Sequence, residues 1–280
     1  MSLASMTLQS NVASLNAQKN LSRTETGMNT AMARLSSGLR INMAADDAAG
    51  LAISEKLRSQ VRGLAQAQRN ANDGVSLLQT AEGALNEVGD MLIRMRELGV
   101  QAANGTLGSS ERSSLHAEFG ALRTEITRIA NATEFNGTKL LDGTLSTGVT
   151  FQVGVKNVTA NDRITISMLS GRASAIGVSN AMTISTVTGA RNSLSVLDTA
   201  ISAVTSRRGT IGAAQNRLYT TIRNITAMHE NLSAANSRIR DADVAAESAN
   251  FTRSQILLQA GVSVLAQANQ LPQMALKLLG

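Results

Sequence analysis

Proline occurs once in this chain, at Pro272, and leucine-like residues recur every seven positions over long stretches before it. A proline inside a helix removes a backbone hydrogen bond and clashes with the preceding turn. The 271 residues before Pro272 therefore leave helices free to run. Heptads turn that freedom into a commitment. Leu57, Leu64, Ala71, Leu78, Leu85 and Leu92 stand seven apart, with Val61 and Val75 in the companion position of the same face. Leu115, Phe119, Leu122, Ile126 and Ile129 alternate by four and three, and Leu197, Val204, Ile211, Leu218, Ile225, Leu232 and Ile239 are again seven apart. Leu8 with Leu15, Leu21 with Met28 and Leu35, and Leu257, Val264, Leu271 and Leu278 carry the repeat to both ends.

These patterns predict helices over residues 3–39, 48–100 and 109–130, and again from Leu194 onward. Gly38 and Asn42 mark a break before Asp46, which is expected to cap the second helix. That helix would extend roughly 75–80 Å at about 1.5 Å per residue, a length that only lateral packing makes stable. Asn104, Gly105 and Gly108 form the turn that sends the next helix back antiparallel. Both Asn-Gly pairs, at Asn104 and Asn136, offer residues that tolerate positive φ.

Apolar residues alternate over 149–155, and Ile164, Ile166 and Met168 alternate after an Asn161-Asp162 turn signal, which reads as a β-hairpin. Met182, Ile184 and Val187 give a weak third strand. The fold class is therefore mainly α: a long antiparallel coiled-coil helical hairpin with a small central β-hairpin region.

With four Phe, one Tyr and no Trp, burial must come from aliphatic residues between helices. The core is thin, and association between chains would complete it. The formal net charge is +6, but 26 Lys and Arg are interspersed with 20 Asp and Glu without a basic run, which argues against nucleic-acid binding. The absence of cysteine excludes disulfides, thiol nucleophiles and thiolate metal sites. Residues 1–17 lack the charged-then-apolar pattern of a cleaved signal peptide, and no run of about 20 apolar residues predicts a membrane span.

Catalysis finds no anchor. His116 and His229 lie far apart on helical faces without a carboxylate cluster, Asp46 and Asp47 sit where a helix start wants acids, and no Gly-rich phosphate loop is present. No enzyme activity, metal or cofactor is expected.

Several segments resemble bacterial flagellin: LSSGLRIN at 35–42, ADDAAGLAISEKLRSQVRGL at 45–64, QRNANDGVSLLQTAEGALNE at 68–87, MRELGVQAANGT at 95–106, EFNG at 134–137 and SQILLQAGVSVLAQANQLPQMALKLLG at 254–280. The resemblance covers nearly all the chain except about 143–191, too short a middle for a large outer domain. It implies an inner-tube domain made of 1–47 and 240–280, a coiled-coil arm made of 48–142 and 193–239, and a β-hairpin and irregular region of the outer shell at 143–192.

It further implies a filament subunit for swimming motility that polymerises with copies of itself outside the cell. Export would follow the flagellar type III route without a cleaved signal peptide. An export chaperone, junction proteins and a cap protein are the expected partners, with no nucleic acid and no membrane insertion. The alternative within the same axial system is a hook-filament junction or other accessory protein. The terminal faces supply the candidate polymerisation interface: Leu8, Val12, Leu15, Met28, Met32, Leu35, Leu257, Val264 and Leu271. An isolated terminal helix has only its counterpart as partner, so residues 1 to about 41 and 245–280 are expected to be largely disordered in the monomer and to order on assembly. Arg94, Leu98 and Glu118 match the flagellin positions recognised by the vertebrate Toll-like receptor for flagellin, and are candidate contacts for it.

Overall fold

A computed structural model describes the chain from residue 10 to residue 279, and its side chains as far as residue 270. The helices are α1 (Val12–Ser37), α2 (Ala48–Ala102), α3 (Ser109–Ala132), the single turn α4 (Thr159–Asp162), α5 (Val187–Arg240) and α6 (Val244–Leu279). Four short strands lie between α3 and α5: β1 (Glu134–Phe135), β2 (Thr138–Lys139), β3 (Val149–Gln152) and β4 (Arg163–Ile166). Two compact units divide the chain, Met1–Ser59 with Asn231–Gly280, and Gln60–Glu230. Both α2 and α5 run through the two units without a break.

In the unit Gln60–Glu230 the heptads become a seam. Leu64, Ala71, Leu78, Leu85 and Leu92 of α2 are buried, as are Leu197, Val204, Ile211 and Leu218 of α5. Polar pairs along the seam set the direction: Gln68 meets Thr226, Gln79 meets Tyr219, Glu82 meets Gln215 and Arg96 meets Asp198. Residue numbers fall on α5 as they rise on α2, so the two helices are antiparallel. Phe119 and Ile126 of α3 are fully buried in the same unit, and Arg94 ties α3 to α2 through Glu118.

The expected β-hairpin is present. β3 and β4 pair antiparallel with Val149 opposite Ile166 and Gln152 opposite Arg163, and Ile164 and Ile166 turn inward. The Asn161-Asp162 signal belongs to the helical turn α4. There the Asp162 carboxylate accepts from the Val158 amide at 2.9 Å.

A second, two-residue hairpin joins β1 to β2 through Asn136 at φ 49 and Gly137 at φ 77, the positive-φ pair that Asn-Gly supplies at least steric cost. Asn104 and Gly105 differ from expectation: neither adopts positive φ.

The expected third strand over Met182, Ile184 and Val187 is corrected. Ile184 is fully buried in irregular chain, and Val187 opens α5, because the Thr186 hydroxyl accepts from the Gly189 amide at 3.1 Å and caps that helix early.

The other unit pairs the chain ends. Asn11 donates to the carbonyl of Ala268, Arg34 bonds Glu247, and Gly27 lies against Ser254, so α1 and α6 are antiparallel. Gly38 at φ 70 ends α1 and donates to the Arg34 carbonyl at 2.8 Å. The break there matches the sequence expectation, but the cap does not. Asp47 accepts from the Gly50 amide at 2.8 Å and caps α2, whereas Asp46 accepts from the Asn42 and Met43 amides and closes the preceding turn. Those two backbone bonds, Met43 first, hold the Asp46 carboxyl below its usual range.

Candidate assembly surfaces

The α1 and α6 helices meet along a heptad seam. On α1 it runs through Ser14, Ala17, Leu21, Thr24, Met28, Ala31 and Leu35, spaced by three and four; on α6 through Phe251, Ser254, Leu258, Gly261, Leu265 and Ala268. Small residues let the two backbones approach. The Leu21 side chain lies so near Gly261 that an added Cβ there would meet it at 3.0 Å. Yet only Ser14, Ala31 and Ala268 of this seam are buried, and the larger side chains stay half-exposed. Two helices alone cannot close a core around residues of this size.

Beside the seam, each helix carries a second apolar set that faces away from its partner. Val12, Leu15 and Met32 on α1, with Leu257 and Val264 on α6, are 53 to 59% exposed. Met28 and Leu35 belong to the seam instead and are half-buried. Leu8 lies outside the described residues, and so does the side chain of Leu271. Leu257 and Val264 each precede a seam residue, Leu258 and Leu265, by one position. Apolar residues thus occupy two adjacent stripes of α6, one toward α1 and one outward.

The ends of α1 and α5 are clasped where the helices stop. Leu39 bridges Asp241, the Arg40 amide donates to the Arg240 carbonyl at 2.7 Å, and the Ala242 amide donates to the Gly38 carbonyl at 2.9 Å. The Arg40 guanidinium donates to the Ile239 carbonyl at 2.7 Å, one of the last carbonyls of α5 left without an intrahelical partner. Arg240 reaches Glu55 on α2 at 2.5 Å and holds that carboxyl below its usual range. Ile41, two residues past Leu39, is buried with its side chain against Gly50 of α2. Sequence reasoning missed this clasp. The only available signal was an arginine near each helix end, Arg40 just past α1 and Arg240 closing α5.

Arg94 and Glu118 are exposed and hydrogen-bonded at 2.8 Å, with Arg94 also bonded to Glu97 at 3.0 Å. Glu118, then Glu97, raise the tendency of Arg94 to keep its proton. Leu98 is fully buried under this face and presents no surface to a partner. His116 stacks on Phe119 at a centroid distance of 6.5 Å, and among the described residues no group of His, Asp and Glu is arranged to hold a metal. No helix among the described residues is long and apolar enough to cross a membrane.

Comparison with known proteins is consistent over 98% of the chain. The profile of the bacterial flagellin N-terminal helical region matches residues 8–146, and that of the C-terminal helical region matches residues 194–279. A flagellin of Halalkalibacterium halodurans is 48% identical over 98% of this chain and 100% of its own length. A flagellin of Bacillus subtilis is 45% identical with the same coverage of both. The crystal structure of Bacillus cereus flagellin superposes with a TM-score of 0.50 at 33% identity, covering 60% of this chain and 94% of that one.

Proposed function

The chain belongs to the bacterial flagellin family, and from that premise we propose that it polymerises through the outward stripes of its two terminal helices. It is a structural subunit of the extracellular flagellar filament that serves motility, and not an enzyme. Its relatives at 45% identity or more over their full length are flagellins, and nothing favours the junction-protein alternative.

The observation that carries the proposal is the exposed apolar set Val12, Leu15, Met32, Leu257 and Val264, on a helix pair that leaves its own seam half-open. Leu8 and Leu271 extend the two stripes in sequence. Met28 and Leu35 act from the seam, by holding α1 and α6 in register. A contact between different surfaces of successive copies, related by a rotation that does not close, generates an open helical polymer. Each Val or Leu buried on assembly contributes about 1.5–3 kcal/mol. A few such residues per subunit, repeated on every neighbour, suffice for a stable fibre.

In that polymer residues 1–47 and 240–280 form the inner tube, 48–142 and 193–239 the surrounding coiled-coil shell, and 143–192 the outer face. Family membership supports export by the flagellar type III route with no cleaved signal peptide, a chaperone for the exported chain, and junction and cap proteins at the filament ends. A vertebrate Toll-like receptor approaching this face would meet Arg94 and Glu118, with Leu98 supporting them from the core.

Negative-stain electron microscopy of the purified chain, beside a truncation keeping residues 46–239, tests the proposal. Long fibres from the full chain alone are expected. Fibres from the truncation would assign assembly to the other unit.

A further inference from the structure

An open groove of about 510 Å³ lies where α4 and β4 face α5. Buried Val153 and Ile164 form its apolar strip, and Arg163, Asn216, Arg217 and Thr221 its polar part. The Arg163 guanidinium is held in place. Its Nε donates to Gln152 Oε1 at 3.2 Å and an Nη to Asn157 Oδ1 at 2.6 Å, and Gln152 is fixed in turn by donating to the carbonyls of Gly154 and Lys156 at 2.9 Å.

Arg217 makes no ion pair or side-chain hydrogen bond among the described residues, and the Asn216 amide is equally unengaged. The Thr221 hydroxyl donates to the Arg217 carbonyl at 2.9 Å, which leaves its lone pairs to accept. No acidic side chain lines the groove. The adjacent Asp162 carboxylate accepts from the Val158 amide and is not part of the lining.

Two guanidinium groups without a carboxylate between them select an anion, and a planar fork suits a carboxylate in two-point contact. The rest of the lining narrows the class. An unengaged amide, a hydroxyl that accepts and a short apolar strip match the hydroxyls and the C–H face of a sugar ring. A simple anion would use the guanidinium groups alone and none of these three features.

We propose that this groove binds a carboxylated saccharide, with Arg217 and Arg163 on the carboxylate, Asn216 and Thr221 on ring hydroxyls, and Val153 and Ile164 under the ring. None of these residues lies on the outward stripes of α1 and α6.

Isothermal titration of the full-length monomer with tetragalacturonate, maltotetraose and tetraglutamate tests it. The uronate is expected to bind and the neutral sugar not to. Arg217→Ala and Arg163→Gln should each weaken the uronate about tenfold. Arg191→Ala, which removes the same charge from an exposed site elsewhere on α5, should leave binding unchanged.

Amides of residues 160–164 and 216–221 should shift in nuclear magnetic resonance spectra of the bound chain, and Arg217→Ala should still form fibres. Absent uronate binding, or equal loss with Arg191→Ala, overturns the proposal. Tetraglutamate binding as tightly with the same sensitivity to Arg217→Ala would replace the saccharide by an acidic peptide, and overturn it equally.

Discussion

The same heptad ladder behaves differently in the two units of this molecule. On α5, Leu197, Val204, Ile211, Leu218 and Ile225 are buried, but the next two steps, Leu232 and Ile239, are only half-buried. On α2, Leu64 through Leu92 are buried and Leu57 is half-buried. The change falls where each helix leaves the unit Gln60–Glu230 for the unit that holds the chain ends. One unit has α3, the irregular segment around Ile184 and the hairpin to close its core. Among the described residues, the other has only α1 and α6 with the ends of α2 and α5. An unchanged sequence pattern can therefore specify a finished core or an unfinished one, and the number of elements available to cover it decides which. The unfinished one belongs to the assembly.

The sharpest way to break the contrast is a charge on the outward stripe. Val264→Asp should abolish fibre formation in electron microscopy and leave the monomer's thermal transition in place, because Val264 is 53% exposed before assembly. A monomer that loses its cooperative transition would mean that this residue already belongs to a closed core.

Next in size is a cut inside the finished unit. Phe119 is fully buried, and Phe119→Ala should cost about 3–5 kcal/mol in denaturant unfolding. Leu257→Ala, on the exposed stripe, should cost the monomer less than about 0.5 kcal/mol.

Acid should loosen both the Arg240–Glu55 contact of the clasp and the turn that Asp46 closes. Arg240 holds Glu55 below its ordinary 4.5, and the Met43 and Asn42 amides hold Asp46 below its ordinary 3.8. A carboxyl whose folded value is depressed contributes stability above its unfolded value, and that contribution is lost as pH falls through the folded one. The Asn42 and Met43 amides should therefore gain hydrogen exchange, corrected for intrinsic rates, only below about pH 4. Faster corrected exchange already at pH 6 would show that the carboxylate does not guard them.

The smallest effect is expected at the exposed pair Arg94–Glu118. Arg94→Ala should move the thermal midpoint by less than about 2 °C, while removing any receptor signalling that depends on this face. Unchanged signalling in a cell assay would dismiss Arg94 as a contact.

Sequence alone made the long helices and the β3–β4 hairpin legible, because period seven and period two persist there over several repeats. It could not choose between Leu257 and Leu258, or between Val264 and Leu265. Both neighbours are apolar, and a period identifies a face only when its flanks are polar. The capping of α2 by Asp47 and not Asp46 is the same ambiguity between adjacent residues of one type, resolved by the turn that Asp46 closes. Met182, Ile184 and Val187 alternate like a strand over too few residues to outweigh the Thr186 cap. The clasp of Arg40 and Arg240 joins residues 200 positions apart through backbone carbonyls, which leave no trace in side-chain pattern. The Arg163–Arg217 groove was equally hidden, since no motif links a hairpin residue to one on α5.

Hydrogen exchange of the full-length chain, measured residue by residue in the monomer and in the assembled fibre, tests the central claim most directly. The account predicts that amides of α1 and α6 exchange far faster in the monomer than those of α2 and α5 between Leu64 and Leu92 and between Leu197 and Leu218. It also predicts that α1 and α6 gain most of the protection that assembly confers. Terminal helices already as protected in the monomer as that core, or no slower in the fibre, would contradict it.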